Sequence, residues 1–274
     1  MKQHLVIRCS PRLLSFVLAM GMTLPLPALA ASIALATAPL ATSTTTLVQP
    51  NVFLMMDDSG SMGWDYLPDA AGSFSGAYGY NSSQCNGIYY DPAITYTPPV
   101  TSTGTSYANS SFTAAWDDGY NQAGTTTNLS TSFTTQAGGT AAPAYYYTYS
   151  GTQTTNLQKD YLNSASTFYT ECNSNVGSTP GSSVFTKKVV GATSGPGSTD
   201  ERTNFANWYS YYRIRINMMK TATGLAFQPI GTNYRVGFAT MNNNGGTDFI
   251  NLGTFNAAQK LAWYDKLYKT SPGS

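Results

Sequence analysis

The sequence predicts an α/β sheet domain interrupted by a long insert, and three stretches predict it. Asn51-Val-Phe-Leu-Met-Met56 is a continuous apolar run that breaks at Asp57-Asp58-Ser59-Gly60-Ser61. Such runs suit a strand buried on both faces, as in a parallel sheet. Residues 198–268 then carry the order helix, strand, strand, helix. Between them, residues 64–197 are dense in Tyr, Thr, Ser, Asn and Gly, with few aliphatics and no sustained helical period. This insert is expected to be β or irregular.

Residues 1–30 read as a secretory signal peptide. Lys2, Arg8 and Arg12 form a basic n-region, Leu13 to Leu29 an apolar h-region, and Ala28-Leu29-Ala30 a small-residue cleavage site. The stretch is short for a membrane span, and Pro25 and Pro27 sit near its end. The mature chain is therefore expected to be exported and to have no transmembrane helix. Cleavage removes three of the 14 basic residues and none of the 13 acidic ones, so the net charge moves from +1 to −2. With no basic run beyond Lys187-Lys188, nothing in the charge pattern favours nucleic acid. Only 10% of the 274 residues are charged, against roughly 25% in typical soluble domains. Polarity comes instead from Thr, Ser, Asn, Gly and 20 tyrosines.

The signal peptide also takes the one histidine, His4, and Cys9. Without histidine, Ser-His and Cys-His catalysis and His-ligated zinc are excluded. Cys85 and Cys172 remain near the two ends of the insert. An even pair in an exported chain reads as one disulfide, with two free buried thiols as the alternative.

Residues 31–49 read as a flexible leader, rich in Ala and Thr. Residues 50–63 hold the first strand and its loop, and 64–197 the insert. The insert's tyrosines suit either an adaptable recognition surface or a cover for the sheet edge. Residues 198–274 continue the sheet domain. Ser198-Thr-Asp-Glu201 has the pattern of a capping box. Phe205, Trp208, Tyr209, Tyr212, Ile216, Met219 and Ala226 follow at helical spacing and read as one core-facing stripe, with Arg213 and Arg215 off it. Tyr234 to Thr240 alternates like a strand, Asn242 to Gly246 is turn chemistry, and Phe249 to Leu252 reads as a shorter strand. Asn256 caps a last helix through Tyr268, with Leu261, Tyr264 and Leu267 on one face. Three strands are too few to complete such a sheet, so the chain is expected to be a piece of something longer.

The chemistry concentrates at Asp57, Ser59 and Ser61. In open α/β sheets, ligands gather at the carboxyl ends of strands. One carboxylate and two hydroxyls at alternate loop positions can aim three oxygens at a hard divalent cation, Mg2+ foremost, with Ca2+ or Mn2+ as alternatives. Gly60 lets the loop bend between the serines. An ordinary Asp/Ser/Gly turn is the bland alternative. An aspartyl-nucleophile phosphatase would want a second Asp at the position of Ser59, and a receiver domain a later phospho-acceptor strand that is not evident.

Asn51 to Met62 resembles the first strand and metal-ion-dependent adhesion motif of a von Willebrand factor A domain. Pro50 to Met62, Tyr89-Tyr-Asp-Pro-Ala-Ile-Thr-Tyr-Thr-Pro-Pro99, Thr203-Asn-Phe-Ala-Asn-Trp-Tyr-Ser-Tyr-Tyr-Arg213 and Tyr234-Arg-Val-Gly-Phe238 together resemble the amino-terminal region of the type IV pilus tip adhesin and assembly family of PilC/PilY type. The resemblance implies a doubly wound sheet with helices on both faces. It implies pilus biogenesis, adhesion and twitching motility, at the periplasm, outer membrane, cell surface or pilus tip. It carries over Asp57, Ser59 and Ser61 as metal ligands, and protein partners in the pilus or on a receptor. Such sites add a Thr and an Asp from later loops. Thr247 is a superficial candidate for the first. A metal-free scaffold is the second functional expectation, an exported hydrolase a distant third, and no catalytic residue is assigned.

Overall fold

The computed structural model describes residues 48–152, 163–242, 246 and 249–273. The signal peptide and nearly all of the leader lie outside the described residues, as does Thr247. Residues Val48–Ser274 form one unit. Its strands are β1 (Asn51–Met56), β2 (Ala115–Trp116), β3 (Thr126–Thr127), β4 (Phe133–Thr135), β5 (Gly138–Ala142), β6 (Tyr145–Tyr149), β7 (Phe185–Val189), β8 (Arg235–Thr240) and β9 (Ile250–Thr254). Its helices are α1 (Thr167–Cys172), α2 (Gly181–Val184), α3 (Arg202–Tyr211), α4 (Arg215–Phe227) and α5 (Ala257–Lys269). The mixture of helices and small sheets agrees with the α/β expectation.

The expected strands after the insert form, and they join β1 in one three-stranded sheet of order β1-β8-β9. The β1–β8 pair is parallel, from Asn51 opposite Arg235 to Met56 opposite Thr240. The β8–β9 pair is antiparallel, with an irregularity between Val236 and Phe238. Val52, Leu54 and Met56 face Val236, Phe238, Ile216 of α4 and Trp263, Tyr264 and Leu267 of α5. β1 is not buried on both faces, contrary to the reading of its apolar run. Phe53 is 41% exposed and Met55 56%. Among the described residues, β1 pairs only with β8, and α4 and α5 pack on one face. The apolar run thus alternates by packing, not by composition.

The last helix is capped as expected, Asn256 Oδ1 accepting from Gln259 N at 3.0 Å. Its core face is built by Trp263, Tyr264 and Leu267, while Leu261 points outward and is 62% exposed. The predicted single helix after Glu201 is instead two, α3 and α4, separated at Tyr212–Ile214. The capping box does not form. Ser198 takes left-handed backbone, φ 62°. Glu201 is buried, and its carboxylate accepts from Tyr90 Oη, Tyr146 Oη and Ser194 Oγ.

Helix α3 is the axis of a second core. Phe205, Trp208 and Tyr209 pack with Tyr89, Tyr90, Tyr96, Leu129, Phe133 and Tyr146 of the insert. Its polar groups are matched too. Trp208 Nε1 donates to Ile88 O at 2.9 Å, and Tyr211 Oη to Ala108 O at 2.8 Å. Asn207 accepts from Ser110 N at 2.9 Å and donates to Tyr96 O at 3.0 Å and to Asn109 Oδ1 at 2.9 Å. A third core, within the insert, surrounds the disulfide of Cys85 and Cys172 with Phe74, Tyr78, Tyr80, Tyr147, Tyr149, Phe168 and Phe185. The β6–β7 ribbon links the last two, since Tyr146 enters one and Tyr147 and Tyr149 the other. Most of these tyrosines are interior and build the insert's own cores, so they do not form an exposed recognition surface. Their rings supply apolar area, and their hydroxyls find partners in the same core.

Asn207→Ala strands the buried Ser110 N–H and Tyr96 carbonyl. Urea unfolding is expected to show a loss of about 3 kcal/mol, from unsatisfied buried groups. A loss below about 1 kcal/mol would show that water reaches these groups.

Candidate metal centre

β1 ends at the fully buried Met56, which places Asp57 at the carboxyl edge of the sheet. A short 3-10 turn, Gly60–Gly63, follows. Asp57 Oδ1 accepts from Ser59 N at 2.9 Å, bending the chain back on itself. Ser59 O then accepts from Met62 N at 2.9 Å, and Ser61 O from Trp64 N at 3.2 Å. The turn brings Ser59 Oγ and Ser61 Oγ to 3.1 Å. Asp57, Ser59 and Ser61 are all half-buried.

This spacing fits a hard cation. Oxygens at about 2.1 Å from Mg2+ in octahedral array lie about 3 Å apart when adjacent. The two hydroxyls are already at that separation, and Asp57 adds the negative charge. Among the described residues no group of three or more His, Cys, Asp or Glu side chains could hold a metal. A cation here would therefore rest on hydroxyls, one carboxylate, water and groups from a partner or another segment.

Asp58 plays a different part. It is 6% exposed, and its Oδ1 accepts from Asn242 N at 2.9 Å. Asn242 Nδ2 donates to Asp58 O at 3.1 Å, and Gly273 N donates to the same carbonyl at 2.5 Å. The adjacent acids thus divide their tasks, Asp57 toward the open loop and Asp58 toward the loops after β8 and α5. Gly60 is needed for more than bending, because a Cβ there would lie 3.0 Å from Gly273 O.

The far end of the turn is held by the insert and α4. Gln136 Nε2 donates to Gly63 O at 2.7 Å. Arg215 N donates to Trp64 O at 3.1 Å, and its Nε to Tyr66 O at 2.7 Å. Its guanidinium lies over the stacked rings of Trp64 and Tyr66 and pairs with Asp69 at 2.8 Å. Burial raises the Tyr66 phenol pKa, with Arg215 pulling it back. Sequence reading missed Gln136, Asn242, Arg215 and Gly273 as supports of this loop. Only Asn242 carried a signal, as the first residue of a turn directly after a strand.

Over 212 residues the chain is 36% identical to the type IV pilus biogenesis factor PilY1 of Pseudomonas aeruginosa strain UCBPP-PA14, covering 71% of this chain. The PilY1 proteins of strains PAK and PAO1 are 32% identical over 218 residues and 29% over 214, each covering 72% of this chain. The chain belongs to the PilY1-type family of type IV pilus factors. It spans 16% of the length of each of these PilY1 relatives. No family model and no solved structure gives a significant match. Among the described residues of this PilY1-type chain, no helix is long and apolar enough to cross a membrane.

The division between the two acids is testable in metal-free buffer. Asp58→Ala removes the buried carboxylate that accepts from Asn242 N and is expected to cost about 2 kcal/mol in urea unfolding. Asp57→Ala loses one half-buried turn contact and is expected to cost about 0.5–1 kcal/mol. The reverse order would contradict the assignment.

Proposed function

We propose that this chain acts in type IV pilus biogenesis and adhesion as an exported, surface- or pilus-associated protein. Its von Willebrand factor A-like region engages protein partners through a divalent cation at Asp57, Ser59 and Ser61. The observation that carries the reading is the pair of serine hydroxyls 3.1 Å apart beside Asp57, at the carboxyl end of a parallel strand. The relatives, each described as a pilus biogenesis factor, supply the cellular context. Mg2+ suits the oxygen spacing best, and Mn2+ and Ca2+ accept similar donors. A cation held there supplies an open coordination position for an acidic side chain of a partner. Asp57 gives it charge, and the serines orient it. The doubly wound sheet of such domains is part of this proposal, with 198–274 continuing the domain begun at 50–63.

A second reading is a metal-free scaffold. It is favoured by the loop's self-sufficiency, since Asp57 already caps Ser59 N and the two serines already hydrogen-bond each other. Calorimetric titration of the intact protein with Mg2+ and Mn2+ separates the two. Saturable heats that vanish in Asp57→Ala are expected. Identical heats for both proteins would sink the cation and leave the scaffold.

A further inference from the structure

The turn between β4 and β5 is 71 residues from Asp65 in sequence, yet it binds the chain just past the cation motif. Gln136 makes three contacts there. Its Nε2 donates to Gly63 O at 2.7 Å. Its Oε1 accepts from Asp65 N at 3.2 Å. Its own backbone N donates to Asp65 Oδ2 at 2.9 Å. We infer that Gln136 is a positioning residue for the motif, by which the insert fixes the carboxyl end of the Ser59–Gly63 turn. This rests on the cation reading above.

The partner side of the clamp is rigid. Asp65 is 5% exposed, and its second carboxylate oxygen accepts from Tyr80 Oη at 2.5 Å. Burial, reinforced by Asp65, raises the Tyr80 phenol far above its ordinary range, so it remains a donor. Asp65 O accepts from Asn86 Nδ2 at 3.1 Å. Asn86 is fully buried next to Cys85. Gln136 therefore grips a residue anchored in the disulfide core.

The other side of the clamp is the motif. Gly63 closes the turn, and Ser61 is two residues before it. None of the three contacts uses the Asp57, Ser59 or Ser61 side chains. The main-chain path between Ser61 and Asp65 is short. Freeing Gly63 O and Asp65 N loosens the half of the turn that aims the Ser61 hydroxyl. The half before it stays fixed by Asp58, Asn242 and Gly273.

Mn2+ titration of the intact wild type, Asp57→Ala, Gln136→Ala and Gln136→Glu tests this, alongside their unfolding midpoints without metal. Gln136 is exposed, so both Gln136 variants are expected to unfold near the wild-type midpoint. Gln136→Ala is expected to bind Mn2+ about fivefold more weakly, as for one lost hydrogen bond. Gln136→Glu keeps the acceptor for Asp65 N but loses the donor to Gly63 O, and it should not restore affinity. Wild-type affinity in both variants would overturn the inference, whether or not their midpoints fall. Absence of Mn2+ binding in the wild type would overturn the cation reading itself, and this inference with it.

Discussion

Residues Phe205 through Tyr211 of helix α3 are all buried, so the helix has no solvent face over most of its length. Every polar atom on it must find a protein partner. Those partners come from the insert: Ile88, Tyr96, Ala108, Asn109 and Ser110 in backbone or side chain. A helix of this composition could not fold into the sheet domain alone. The insert closes around it, and the irregular course of residues 88–110 follows from the positions of its donors and acceptors. The scarcity of charge in the chain is the other side of this constraint. Tyr, Asn and Ser can be buried with one or two hydrogen bonds, whereas unpaired charges cannot.

The same economy shapes the surroundings of the motif. The carboxyl end of a strand is an ordinary place for a ligand, but a short Ser-Gly-Ser loop has little to fix it. Here it is tied at both ends by segments remote in sequence. Asn242 and Gly273 hold Asp58, and Gln136 and Arg215 hold Gly63 to Tyr66. Asp57, Ser59 and Ser61 are left as a half-buried turn whose side-chain oxygens bond only within the turn. Fixing the backbone in advance lowers the ordering cost of any ligand that binds there.

How much of this was legible in the sequence depended on how local each feature is. β1, β8 and β9 announce themselves by apolar runs and alternation, and α5 by its asparagine cap. The Cys85–Cys172 pair followed from compartment and parity alone. The candidate triplet could be read from the sequence because its three residues lie at alternate positions within one short turn. Features set by distant partners were not. The periodic stripe from Phe205 to Ala226 hid the break at Tyr212, because insert and sheet impose different directions on its halves. Ser198 and Glu201 match a capping pattern, yet the buried tyrosine hydroxyls of Tyr90 and Tyr146 claim the glutamate. Leu261 had the spacing of a core residue, but Trp263 occupies the space against Phe238 and Phe255. Gln136 is a polar residue in a hairpin turn, with nothing nearby in sequence to mark it.

The central claim is that insert, α3 and the sheet form one cooperatively held unit that fixes the motif. Native-state hydrogen exchange tests it most directly. The account predicts that amides of β6, α3 and β8 open with the same free energy, that of global unfolding. Amides of β6 and α3 exchanging through a much cheaper opening, while β8 stays protected, would contradict it.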